Sequence, residues 1–190
     1  MAPRIVTIGV YGWVEEDFFR ALVDAGVDLF FDLRARRGVR GSSYAWANSE
    51  RLQARLAELG IRYLHCKELA PTAETRAAQN NADRAAGVAK RQRAVLSPAF
   101  ADAYRRERLE GFDSAAFVAG LGPEAQVVVL FCVEREPAAC HRSLVAGRLA
   151  ADLGIEVAHL LPDSSLTCTA PAVVQVQVLG GWTVGREPNR

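Results

Sequence analysis

The chain has 190 residues, half of them apolar, and a formal net charge of +1. That length and composition suit one compact domain with a sizeable core. A near-neutral total excludes the broad basic surface behind sequence-independent nucleic-acid binding, so only a local basic patch remains open to that use. Arginine outnumbers lysine 21 to 2, an imbalance that reflects genome composition and weakens any argument that each arginine was placed for an anion. Cys66, Cys132, Cys140 and Cys168 form no CxxC pair and no regular framework. No leader-like segment opens the chain, and no apolar run reaches the roughly 18 residues that a bilayer span needs. The expectation is a cytoplasmic protein with free thiols and no membrane partner.

Ile5 to Gly9 is a short β-branched run closed by glycine and reads as a first strand, with Val10 to Trp13 as the loop at its carboxyl end. Phe18, Leu22 and Ala25 then recur at helical spacing over 14–25, and Gly26 stands where such a helix stops. Val27 to Leu33 is a nearly continuous apolar run, as expected of a strand buried on both faces. Arg34 ends it, and a loop rich in glycine and arginine follows to Tyr44. Asn48 or Ser49 can cap a helix through Leu52, Leu56 and Leu59, closed by Gly60. Ile61 to Cys66 reads as a third strand, ending in the polar turn Lys67-Glu68.

Pro71-Thr72 introduces a helical stretch to about Ala89, and Ser97-Pro98 an N-capped helix to Leu109. Lys90, Arg91, Arg93, Arg105, Arg106 and Arg108 are read as the wet faces of these two helices. A further helix covers about 113–121. Val127 to Phe131 is a fourth strand, followed by a polar loop, a helix from about His141 to Leu153 stopped by Gly154, and a fifth strand over Ile155 to Leu160. Strands alternating with helices imply βαβ units around a mostly parallel sheet. The expected fold is therefore three-layer α/β, about five strands with helices on both faces, occupying residues 1–162. Residues 163–190 form a C-terminal extension in which Val173 to Leu179 alternates with period two, as an antiparallel or edge strand does.

If the strands are parallel, the loops at 9–13, 34–44, 65–71 and 132–142 gather at one sheet edge, where open α/β sheets put their sites. They bring together Tyr11, Arg34, Arg36, Arg40, Lys67, Glu68, Cys132, Glu134, Cys140, His141 and Arg142. Cys132 ends a strand ahead of a helix, the layout of cysteine phosphatases and sulfurtransferases, in which the helix dipole activates a thiol and backbone N–H groups bind an anion. Arg135 follows too soon and Arg142 too late for the tight loop of those enzymes, and a buried structural cysteine is the alternative. Cys140, at the helix start, is the better placed thiol for activation. Cys132, Glu134, Cys140 and His141 also offer a metal ligand set, although no zinc-like spacing is present. Arg34 and Arg142 either bind a ligand phosphate or carboxylate, or form buried salt bridges to Asp32, Glu68 or Glu134. Arg36, Arg37 and Arg40, near Tyr44 and Trp46, either hold a phosphate and stack a base or form a solvated loop. His65 and His159 are read as core or edge residues.

Thr7-Ile8-Gly9, Asp32-Leu33-Arg34, and Phe131-Cys132-Val133-Glu134 followed by Pro137 and Cys140-His141-Arg142 resemble the domain of unknown function 488 family over roughly residues 4–162. The resemblance implies the same three-layer α/β fold and supplies no reaction. Many members resemble Thr-Ile-Gly-His-Ser at the first loop, where this chain has Val10-Tyr11, so an imidazole some relatives could use is absent. Many also carry a proline and a serine after the second-strand arginine, replaced here by Arg36-Arg37-Gly38-Val39-Arg40-Gly41. A chemistry shared by the family would rest on the matching positions Arg34, Cys132, Glu134, Cys140, His141 and Arg142. The expected function is an enzyme binding a small anionic molecule, a nucleotide or phosphorylated compound, at the carboxyl edge of the sheet. Cys132 or Cys140 would be the nucleophile, and His141 or Glu134 would move protons. The alternatives are a non-catalytic nucleotide or nucleic-acid module reading through residues 34–46, a metal site, and a purely structural network.

Overall fold

The computed structural model describes residues 2–89, 92–162 and 173–175. Five parallel strands, β1 (Arg4–Ile8), β2 (Leu29–Asp32), β3 (Arg62–His65), β4 (Val127–Phe131) and β5 (Val157–Leu160), lie in the order β3-β2-β4-β1-β5. A short strand β6 (Val173–Gln175) pairs antiparallel with β5 at the sheet edge, where an alternating segment was expected. The rest of the C-terminal extension, including Cys168, lies outside the described residues.

Side-chain alternation along the central strands divides the interior into two layers. Val6, Ile8, Phe30, Val129 and Phe131 point to one face. There they pack on Phe18 and Leu22 of α1 (Glu15–Asp24) and on Leu52 and Leu56 of α2 (Ser49–Glu58). Ile5, Leu29, Phe31, Val128 and Leu130 point to the other face, against Phe100 and Tyr104 of α4 (Pro98–Tyr104) and Val145 and Leu149 of α6 (His141–Leu153). Both faces of the parallel sheet are thus covered, which is why its strands read as apolar runs rather than alternating ones.

The helix signals act where the sequence places them. Gly26 and Gly154 adopt φ of 69° and 64°, the left-handed stop that other residues take at a cost. Ser97 accepts a hydrogen bond from the Phe100 amide at the start of α4. Beyond Tyr104 the helix widens into a π turn over Arg105–Leu109, and α5 (Ser114–Gly120) follows it. The stretch expected to be helical to Ala89 stops sooner, as α3 (Ala73–Ala85). Asn48 holds the N-cap position of α2, yet its side-chain oxygen accepts from the Val39 amide at 2.6 Å and so fastens the preceding loop instead. No helix among the described residues is long and apolar enough to cross a membrane.

The connection from β2 runs outward to β3 at one edge, whereas that from β4 crosses β1 to reach β5 on the other side. Where neighbouring strands send their connections opposite ways, a crevice opens at their carboxyl ends. Here that crevice lies between Arg34 and Cys132.

Candidate functional site

A cleft of about 630 Å³ opens at this point. Tyr11, Arg34, Arg36 and Arg40 come to it from the loops after β1 and β2, and Cys132, Glu134, Cys140 and His141 from the β4–α6 connection. Arg76, Gln79 and Asn80 of α3, Arg93 and Leu96 of the segment after it, and Phe100 of α4 form the opposite wall. The sequence reading placed none of this second group in the site. Lys67 and Glu68, expected here, stand on an exposed 3-10 turn (Lys67–Leu69) outside the lining.

The floor of the cleft carries its nucleophiles. Cys132, Cys140 and His141 are 6%, 2% and 7% exposed, and the two sulfurs and a ring nitrogen all lie within 4.8 Å of one another. Cys132 is delivered by the end of β4, and Cys140 by the N-cap of α6, where unpaired amides and the helix dipole favour negative charge. His141 Nε2 is 3.2 Å from the Leu33 carbonyl oxygen. A carbonyl only accepts, so Nε2 carries a hydrogen, and Nδ1 lies 3.7 Å from Cys132 Sγ. The Tyr104 ring, 5.4 Å away, backs the imidazole, and its hydroxyl donates to the Leu69 carbonyl.

The two thiols are driven apart in acidity. Burial alone would raise Cys140, but a hydrogen bond from Cys132, the Arg142 guanidinium and His141 together hold it well below the usual thiol range. Cys132 is pushed well up, by its hydrogen bond to Cys140 and by burial. The physical picture is one thiolate, Cys140, accepting a hydrogen bond from Cys132, which keeps its proton and has His141 Nδ1 within reach.

Arg34 and Arg142 belong to the scaffold beneath this cluster. Arg34, 2% exposed, donates from Nε and Nη2 to the Asp32 carboxylate and from Nη1 to the Ala47 carbonyl, and stacks 4.5 Å over Phe131. Asp32 also accepts from the Tyr63 hydroxyl, and burial with this bond raises Tyr63 to about 12. Of the two readings of Arg34, the salt bridge to Asp32 is the one seen. Arg142 is wholly buried, donating to the Glu134 and Arg135 carbonyls at 2.5 and 2.8 Å and to Thr7 Oγ1 at 3.4 Å. Its bonds hold the β4–α6 loop in place, with carbonyl oxygens where carboxylates were expected. Thr7 in turn lies 2.7 Å from His159 Nδ1, so His159 is a core residue, and His65 bonds the Arg34 carbonyl.

Gly9 lets two chain segments cross here. A Cβ on it would sit 1.9 Å from the Glu134 carbonyl oxygen, and the Val10 and Tyr11 amides donate to the Val133 carbonyl beside it. Close backbone approach therefore explains the Thr-Ile-Gly signal.

Two readings, of Arg93 and of Trp46, are corrected. Arg93 was assigned to a wet helical face, but its side chain is 8% exposed. It pairs with Asp83, and its Nη1 lies 3.8 Å from Glu134. Trp46, offered as a base-stacking surface, is buried against Phe18 at 4.7 Å and bonds the Ser43 carbonyl. Arg36, Arg37 and Arg40 do remain exposed, and Tyr44 is half-buried against Tyr11.

The family described as "Domain of unknown function DUF488" matches residues 15–149. No curated protein and no solved structure matches the chain.

Proposed function

The chain belongs to the DUF488 family of domains of unknown function, and we propose that it is an enzyme. In this reading a small anionic ligand, a nucleotide or phosphorylated molecule, enters the cleft past Arg36, Arg40 and Arg76, and Cys140 attacks it as a thiolate. His141 moves protons at the reacting atoms. The observation that carries the reading is the cluster of Cys132, Cys140 and His141 on the floor of an arginine-lined cleft. A thiolate is the reactive form of cysteine, and a helix N-terminus beside a cation is the setting that produces one near neutral pH.

The test is alkylation by iodoacetamide at pH 7, followed by peptide mapping. Cys140 should label about tenfold faster than free cysteine, because most free thiol is protonated at that pH. Inorganic phosphate should protect it, and Arg36→Ala with Arg40→Ala should weaken that protection. Labelling of both cleft thiols no faster than free cysteine sinks the proposal.

A second reading is a metal centre, and one geometric feature favours it. Two sulfurs and a nitrogen converge within 4.8 Å, while the other imidazole nitrogen is held by a backbone carbonyl, an arrangement common behind metal-bound histidines. Against it, Arg142 acts on both sulfurs, and its charge already balances one thiolate. A dication beside Arg142 would concentrate positive charge in a buried pocket. Metal analysis of protein purified without chelator separates the two readings.

A further inference from the structure

We propose that Cys132 and Cys140 work as a pair, a dithiol that reduces small anionic disulfides by thiol–disulfide exchange. The inference rests on the reading of Cys140 as a nucleophile towards a small anion and departs from it in the substrate, an anionic disulfide in place of a phosphorylated molecule.

The second thiol has no role in the chemistry of a single nucleophile. Acyl, phosphoryl or glycosyl transfer through cysteine needs one sulfur, and a second within bonding reach would compete with water or acceptor for the intermediate. Here both sulfurs line the same cleft and lie within 4.8 Å of each other. They come from rigid positions, a central strand end and a helix N-cap. The loop between them is fastened by Arg142 to the Glu134 and Arg135 carbonyls. Disulfide exchange is a thiol chemistry that uses such a neighbour, because it resolves the mixed disulfide. The imidazole is placed for that step too: His141 Nδ1 faces Cys132, at 3.7 Å, and its other nitrogen is occupied by Leu33. The charge of the substrate follows from the exposed Arg36, Arg40 and Arg76 at the cleft.

The Cys140 thiolate attacks one sulfur of R–S–S–R′, forming Cys140–S–S–R and breaking the substrate bond. The electron pair leaves with R′S⁻, which takes a proton from water. Cys132 then gives its proton to His141 Nδ1 and attacks Cys140 Sγ. That expels RS⁻, which receives the proton back from His141. The substrate is reduced by two electrons to two thiols, and the protein is oxidised to a Cys132–Cys140 disulfide. An external dithiol returns it to the starting state.

The experiment uses the full chain with Cys66→Ser and Cys168→Ser, reduced and then freed of reductant, and two probes, glutathione disulfide (anionic) and cystamine (dicationic). Intact-mass and peptide analysis should show an internal Cys132–Cys140 disulfide and two glutathiones released per chain. Cys132→Ser should stop at a glutathione adduct on Cys140. Cys140→Ser should react at least about tenfold more slowly. Glutathione disulfide should react about tenfold faster than cystamine at low ionic strength, with the gap closing in salt. If the chain instead keeps a stable glutathione adduct while iodoacetamide still labels Cys140 rapidly, the pairing is refuted and the nucleophile reading stands. Alkylation and exchange both no faster than free cysteine refute the two together. So does one tightly bound zinc per chain that blocks both reactions until chelated.

Discussion

Replacing Gly9 with alanine should destabilise the protein by about 3–5 kcal/mol and blunt the reactivity of the cleft thiols. The added Cβ would lie 1.9 Å from the Glu134 carbonyl oxygen and 2.8 Å from its carbon, both backbone atoms that no rotamer change can move. Restoring ordinary contact requires the exits of β1 and β4 to part by about 1 Å or more. Overpacking of this kind costs about 1–3 kcal/mol by itself. The displaced segment also carries the bonds from the Val10 and Tyr11 amides to Val133 and from Arg142 to Glu134. Weakening these adds about 1 kcal/mol for each bond lost, more for the charged one. Urea unfolding of Gly9→Ala against the parent gives the stability difference from the midpoint and slope. Iodoacetamide kinetics on the same samples, under native conditions, report whether Arg142 still holds the loop. A variant within about 1 kcal/mol of the parent, with unchanged alkylation rates, would refute the claim that this crossing positions the site.

Burial, with Arg142 adding to it, pushes His159 down to about 4. An unfolded histidine titrates near 6.5, so between those values the unfolded chain holds a proton that the folded one lacks. The resulting stability is complete above about pH 6.5 and is lost as pH falls towards 4, by about 2 kcal/mol between pH 7 and pH 5. Denaturation across that range should show the slope, and His159→Asn should flatten it; an equal slope in the variant excludes His159 as its source. Arg93→Met removes the guanidinium between Asp83 and Glu134, whose side chains are 12% and 10% exposed, and should cost about 3 kcal/mol. A loss under about 1 kcal/mol would mean that solvent screens the pair. Tyr104→Phe strands the buried Leu69 carbonyl and should cost about 1–2 kcal/mol. It keeps the ring against His141, so alkylation of Cys140 should stay unchanged; a faster or slower rate would tie the hydroxyl to the site.

How far the sequence reading carried depends on the range of each interaction. The span of β4, Val127–Phe131, and of α6, His141–Leu153, follows from local signals: a β-branched apolar run, then helical spacing ended by Gly154. The convergence of Arg34 with Cys132 follows from topology once the strands are taken as parallel. The far wall of the cleft has no such signal. Arg93 sits in an irregular segment, and its partners are Asp83 on α3 and Glu134 on a distant loop. Neither spacing matches a helical or strand neighbour, so the pairing exists only after α3 and α4 have packed. Trp46 reads as a loop aromatic because its burial depends on Phe18 of α1 closing over it.

These burial differences sort the arginines, which a composition of 21 arginines could not do. Arg34, Arg93 and Arg142 are buried and bonded to acceptors of the chain itself, so they set the shape and field of the cleft floor. Arg36, Arg40 and Arg76 are exposed at the cleft, where an arriving anion would meet them. Salt screens exposed charges over about 8–10 Å but acts weakly on buried ones. The two groups should therefore separate in one experiment. Raising ionic strength should weaken phosphate protection and slow the anionic disulfide, while the intrinsic alkylation rate of Cys140 holds steady, because Arg142 acts on it from inside the protein. Equal salt sensitivity of both rates would mean that the thiol is activated by the exposed arginines and that the division drawn here is wrong.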